Sequence, residues 1–263
     1  MKKYLFILFA AIGLTSCSEK AKVNSEIEEI PVEVQVLRFD KEFIETPDAG
    51  FSKLKQKYPF LLPANVPDEE WMNKRNDSLF KVLYKEVQTQ FADTKQLETD
   101  LESLFKHIKY YFPNQKPGKV VTLISEVDVD AKTIYTDSLS IISLDTYLGK
   151  DHRFYEVFDT YLLGSFEPKQ ITSDLAESFI TTQLPYPNDR QFLSQIIYSG
   201  KIMYAKDLLI PNASDDVKMG YSPEQIQWCF DNESHMWKYF IENKLLYDSD
   251  SKLYGRFVQN APF

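Results

Sequence analysis

The chain has 263 residues, with 30 Lys and Arg against 39 Asp and Glu, a formal charge of −9 at neutral pH. Nucleic-acid binding is disfavoured, because nothing supplies the clustered cations that displace counterions from phosphate. Hydrophobic residues make up 43% and aromatics 14%, enough for the core of one globular domain.

At the N-terminus, Lys2 and Lys3 precede an apolar run from Tyr4 to Leu14, which closes on Leu14-Thr15-Ser16-Cys17. Eleven helical residues span roughly 16 Å, about half of a ~30 Å hydrocarbon core, so this run predicts a secretory segment and not a membrane span. The closing pattern resembles the bacterial lipobox. That resemblance implies a signal peptide over residues 1–16, cleavage between Ser16 and Cys17, and acylation of Cys17 with palmitate-type chains. Ser18 stands where an inner-membrane retention aspartate would be, which favours the outer membrane, facing the periplasm. Losing Lys2 and Lys3 takes the charge from −9 to −11, so lipid and not electrostatics must carry the attachment. Cys229 is then the one free thiol, expected to be buried and inert.

Residues 17–30 predict a polar lipidated tether, and residues 31–263 a single α+β domain, mostly helical with a small sheet. Val32, Val34 and Val36 alternate with polar residues as in a half-buried strand from Pro31. Phe51 to Tyr58 predicts a short helix. Asp68 to about Phe91 predicts another, with Leu79, Val82, Leu83 and Val87 as its apolar stripe. Leu97, Leu101, Leu104, Phe105, Ile108, Tyr111 and Phe112 give the clearest helical periodicity, ended by Pro113. Lys119 to Ser125 and Leu139 to Leu144 predict two strands joined by an irregular hairpin. From Thr172 the signals are helical again. Asn188 and Gln191 mark the start of a helix carrying Phe192, Ile196, Met203 and Leu208. Ser222-Pro223-Glu224-Gln225 marks another, with Ile226, Cys229, Phe230, Trp237, Phe240 and Ile241 as its buried stripe.

Chemistry-bearing patterns are sparse. The chain has three histidines, with no His-Glu-x-x-His and no histidine pair at i, i+4. His107 within an amphipathic helix predicts a boundary or surface position. Glu126, Asp128 and Asp130 could array carboxylates for calcium, but the glycine and the final glutamate of an EF-hand loop are missing; a solvated hairpin is the simpler reading. There is no glycine-rich phosphate loop and no Gly-x-Ser-x-Gly. An alternative catalytic site would pair Glu233 with His235 or His152. Helix surfaces carry such residues routinely. Neither a metal nor a cofactor is expected.

The segments Leu144-Asp145-Thr146-Tyr147-Leu148-Gly149, Gln195-Ile196-Ile197-Tyr198-Ser199-Gly200-Lys201, Gln227-Trp228-Cys229-Phe230-Asp231-Asn232-Glu233 and Trp237-Lys238-Tyr239-Phe240-Ile241-Glu242 resemble the gliding motility lipoprotein B family of Bacteroidota. The resemblance runs from the signal to Phe263. It implies an outer-membrane lipoprotein required for gliding, a non-catalytic scaffold with protein partners in the motility apparatus. Members of that family extend past a motif like Ala261-Pro262-Phe263, so a C-terminal truncation is expected. A second similarity is to zinc peptidases of the zincin-like type, which carry metal ligands on two helices. Here the helix from Asp174 to Ile180 offers Glu177 without histidine, and Ser199 stands at the position of the second helix's glutamate. It implies a degenerate scaffold that has lost its metal and keeps a binding role. Two other functions remain open at this level: an envelope glycan or peptide hydrolase, and a solute-binding lipoprotein with a cleft lined by Trp228, Trp237 and Tyr239.

Overall fold

A computed structural model describes residues 24–258. The signal peptide, the Ser16–Cys17 junction and the Ala261-Pro262-Phe263 motif lie outside the described residues. Within them the fold is α+β and mostly helical, as expected. The body starts earlier than Pro31. Residues 24–28 are helical, Ile27 is buried, and Tyr110 donates to the Glu26 carboxylate at 3.2 Å, so the end of the expected tether packs on the domain.

Four short strands form one sheet in the order β1-β2-β4-β3, with β1 Gln35–Arg38, β2 Lys119–Leu123, β3 Thr133–Tyr135 and β4 Ser140–Ser143. The valine alternation before β1 is real in exposure, but the ladder begins only at Gln35, opposite Lys119. Gly118 permits this start: its φ is +138°, and a Cβ there would lie 2.7 Å from the Glu33 carbonyl oxygen. β2 and β4 were expected to face each other across a hairpin. They instead pair in parallel, and the hairpin partner of β4 is β3, with Ile134 opposite Ile141. Period-two patterning records which face is buried and carries no information on strand direction. Val120, Val121 and Ile142 are fully buried, as befits strands covered on both faces.

Helices α1 Phe39–Glu45 and α2 Phe51–Lys57 precede α3 Asp68–Asn76 and α4 Ser78–Gln90. The single helix expected from Asp68 to Phe91 is therefore broken at Asp77. That residue is extended, and its carboxylate caps α4 by accepting from the Phe80 amide at 2.8 Å. α4 buries Phe80, Leu83 and Val87 and exposes Leu79, a rotation of the expected stripe. α5 Lys95–Tyr111 matches expectation, with Leu101, Leu104, Phe105 and Ile108 at the centre of the core. His107 is buried, not at the boundary, and its Nδ1 lies 2.8 Å from the Ser103 carbonyl oxygen one turn back.

The C-terminal part comprises α6 Ile171–Gln183, α7 Phe192–Leu209, α8 Asp215–Met219, α9 Pro223–Glu242 and α10 Ser251–Phe257. α6 packs on β3 and joins the main core, whereas Phe192, Phe240 and Leu253 form a separate small cluster under α9 and α10. The expected capping box of α9 is present: Ser222 Oγ accepts from the Gln225 amide at 3.2 Å, and Gln225 Oε1 accepts from the Ser222 amide at 2.8 Å. Its expected buried stripe is not. Phe240 alone among the named residues is buried, while Phe230 is 67% and Ile241 64% exposed. No helix among the described residues is long and apolar enough to cross a membrane.

Candidate functional site

α6 is the element from which the most distinctive polar chemistry projects. On its β3 side, Asp174 accepts from the Tyr147 hydroxyl at 2.7 Å and pairs with Lys132 at 2.7 Å. Lys132 also lies over the Tyr147 ring, 4.6 Å from its centroid. Burial, reinforced by the Asp174 carboxylate, pushes the Tyr147 phenol well above its ordinary range, so it stays a donor. On its α7 side, Glu177 meets Lys206. The Lys206 side chain is 3% exposed, and its ammonium donates to Glu177 Oε2 at 2.6 Å, Ser173 Oγ at 3.1 Å and the Lys218 carbonyl at 2.9 Å. Three donors meet three acceptors, which is what a buried ammonium requires.

Beside this pair opens a cleft of about 920 Å³. Glu177, Ser199 and Gly200 lie at its polar edge; Phe192, Trp237, Phe240, Tyr254 and Phe257 form aromatic walls, and Met203, Met219 and Met236 add adaptable apolar surface. A neighbouring cavity of about 650 Å³ shares Tyr161 and Tyr221 with it and is lined by Lys150, Glu167, Lys169 and Asp216. Burial pushes the Tyr221 phenol up, and likewise the half-buried Cys229 thiol, which weakens the latter as a nucleophile.

The structure places Glu177 and Ser199 at one cleft. Glu177, however, is committed to the ammonium of Lys206, and among the described residues no group of three His, Cys, Asp or Glu side chains could hold a metal ion. Lys206 was missed in the sequence. Its signal was there: Ile202, Lys206 and Leu209 recur at helical spacing, so a lysine occupied a buried face.

His152 caps the Arg153–Tyr155 turn, its Nδ1 accepting from the Phe154 amide at 3.4 Å, and its Nε2 lies 3.6 Å from Glu86 of α4. Glu86 also pairs with Arg153 at 3.1 Å. Glu233 and His235 are exposed on α9 and make no hydrogen bond or ion pair among the described residues, so neither is oriented by a partner. Of the three aromatics that the alternative solute-binding reading would place in a cleft, Trp237 lines one, whereas Trp228 and Tyr239 sit half-exposed on another flank of α9. Glu126, Asp128 and Asp130, weighed as a calcium array and read as a solvated hairpin, have separate partners. Glu126 pairs with Lys74 at 2.6 Å, and Asp128 accepts from the Asp130 amide at 3.1 Å.

The loop that carries Glu126 is strained. Glu126 and Val127 both have φ of +63°, a region that costs a β-branched residue most. Asp145, fully buried, pins it by accepting from the Ser125 amide at 2.9 Å and the Val127 amide at 2.6 Å. Burial raises the Asp145 carboxyl, and these amide bonds partly offset the rise.

Compared with known proteins, the chain matches one family model, described as gliding motility protein GldB, over residues 20–263. No curated protein and no solved structure matches it, so the peptidase-like similarity has no support from either comparison.

Proposed function

The chain belongs to the gliding motility protein GldB family, and on that premise we propose that it is a lipid-anchored, non-catalytic accessory of the motility machinery, held at the outer membrane through Cys17 and facing the periplasm. In this role the helical C-terminal part binds another protein of the envelope. The observation that carries the reading is the use made of α6. Its one carboxylate in the cleft neutralises a buried lysine and so holds α6 to α7, instead of activating water or binding an ion. The apolar cleft and the aromatics exposed beside it on α9 are suited to contact, not to proton transfer.

The test is genetic and biochemical together. A strain lacking the gene is complemented with the wild-type chain or with Cys17→Ala, and spreading, membrane fractionation and protein level are measured. Loss of spreading with stable, unanchored Cys17→Ala protein is the expected result; normal spreading would refute the role of the anchor. Capture of a small apolar solute is a second reading, favoured by the volume of the cleft. It predicts a co-purifying small molecule that is lost on Trp237→Ala. A hydrolase using Glu233 would lose function in a folded, correctly placed Glu233→Gln protein, whereas the accessory role tolerates that conservative change with a modest defect.

A further inference from the structure

α9 contains 20 residues and buries one large side chain among them, Phe240. The helical spacing of seven and eleven residues places Phe230, Trp237 and Ile241 within an arc of about 40°, a stripe running most of the helix. Their exposures are 67%, 41% and 64%, so the stripe faces solvent over its whole length. Glu233 flanks it, about 40° beyond its edge, three residues after Phe230 and four before Trp237, and is therefore a neighbour of both. It is exposed and makes no hydrogen bond or ion pair among the described residues. The helix as a whole carries Glu224, Asp231, Glu233 and Glu242 against Lys238 alone.

An apolar stripe flanked by one unpaired carboxylate selects its occupant by charge. A second copy docked through the same stripe would bring Glu233 beside another Glu233 with no cation on the stripe to answer it, in a chain whose formal charge is −9. An anionic lipid surface meets the same repulsion. A protein segment whose apolar side chains cover Phe230 and Ile241, and whose Lys or Arg reaches Glu233 across the Trp237 ring, satisfies every group on the stripe. We propose that this face of α9 is the docking site for an apolar segment of a partner protein bearing a basic residue that pairs with Glu233. The inference deepens the accessory-protein reading and rests on it.

The full-length chain, carrying a benzophenone amino acid at Phe230 or, as a control, at Leu79, which is 53% exposed on α4, is expressed in the gliding cell and irradiated. The crosslinked peptide is identified by mass spectrometry, and the experiment is repeated with Glu233→Lys and Glu233→Gln, whose unfolding midpoints should equal that of the parent. The expected result is a protein adduct at position 230 and none at 79. The captured peptide should carry Lys or Arg within one helical turn of large apolar residues. Its yield should fall about tenfold with Glu233→Lys and less with Glu233→Gln. An adduct of the chain with itself, an adduct with lipid, an acidic peptide, a yield indifferent to Glu233→Lys, or no adduct would each overturn the proposal. Loss of spreading in Cys17→Ala combined with no adduct at 230 would refute this surface while leaving the accessory role standing. Normal spreading in Cys17→Ala would refute the anchored role on its own.

Discussion

Lys206 offers the sharpest quantitative test of how the C-terminal helices are held, because its two sides differ in burial. The Lys206 side chain is 3% exposed, while the Glu177 side chain that pairs with it at 2.6 Å is 48% exposed. Lys206→Met removes the buried charge and leaves a carboxylate that water can solvate at little cost. What it strands is the Lys218 carbonyl and the Ser173 hydroxyl, about 1 to 1.5 kcal/mol each, or about 2 to 3 kcal/mol in all. Glu177→Gln does the opposite and leaves an ammonium in the interior without its counter-charge, which costs about 3 to 5 kcal/mol. The order is thus the reverse of what residue burial alone suggests: altering the half-exposed partner should hurt more. In a chain of this size each kcal/mol moves the melting temperature by roughly 2 to 4 °C. Once Lys206 is methionine, Glu177→Gln should add less than about 0.5 kcal/mol, because no buried charge is left to strand. Urea unfolding followed by circular dichroism on the two single variants and the double variant reads all three quantities. Additive effects, or a Glu177→Gln loss smaller than that of Lys206→Met, would refute the reasoning.

The strained loop provides two further tests. Glu126→Gly should stabilise the chain by about 0.5 to 1 kcal/mol in urea unfolding, since glycine adopts the positive φ without the clash of a Cβ and the side chain removed is exposed. Asp145 has a carboxyl raised by burial, so the folded state holds its proton more tightly than the unfolded state does. Its contribution is therefore full below the ordinary carboxylate value near 4 and is lost as pH rises through the raised value. The stability difference between the parent and Asp145→Asn, measured by urea unfolding, should shift over that window and stay flat above it; a flat difference throughout would contradict the burial argument. At the start of α9, Ser222→Ala removes the Oγ that accepts from the Gln225 amide and leaves the backbone amide of residue 222 bonded to Gln225 Oε1. It should cost about 1 kcal/mol, appearing as faster amide exchange over the first turn of α9, including Gln225. Unchanged exchange there would show that neighbouring contacts, not the cap, fix the helix start.

Much of the fold could be read locally. α5 was legible because one face of a long helix is buried throughout, so the 3.6-residue period survives intact in Leu97, Leu101, Leu104 and Ile108. The α9 start was legible because a capping box is satisfied by four consecutive residues and needs nothing from the rest of the chain. The break at Asp77 was harder to see. An aspartate in a long helical pattern reads as a polar surface position, and only its extended backbone reveals the cap. α9 misled for the opposite reason. Its aromatics recur at core-like spacing, yet no element among the described residues covers Phe230 or Ile241.

The candidate site divides along the same line. Sequence by itself carried the acidic balance, the helical majority and the family resemblance, because each is written in composition or in adjacent residues; the secretory run before Cys17 is its expectation. It also named Glu177 and Ser199, by analogy of position. Only the tertiary structure decided what those residues do. Strand direction, the partner of Glu177, the solvation of Glu233 and the exposure of Phe230 and Ile241 all depend on elements distant in the chain. A side chain's charge is fixed by its identity, but its partner and its contact with water are fixed by packing. Here packing gave Glu177 a buried lysine as its partner, and left an apparent core stripe as an exposed face.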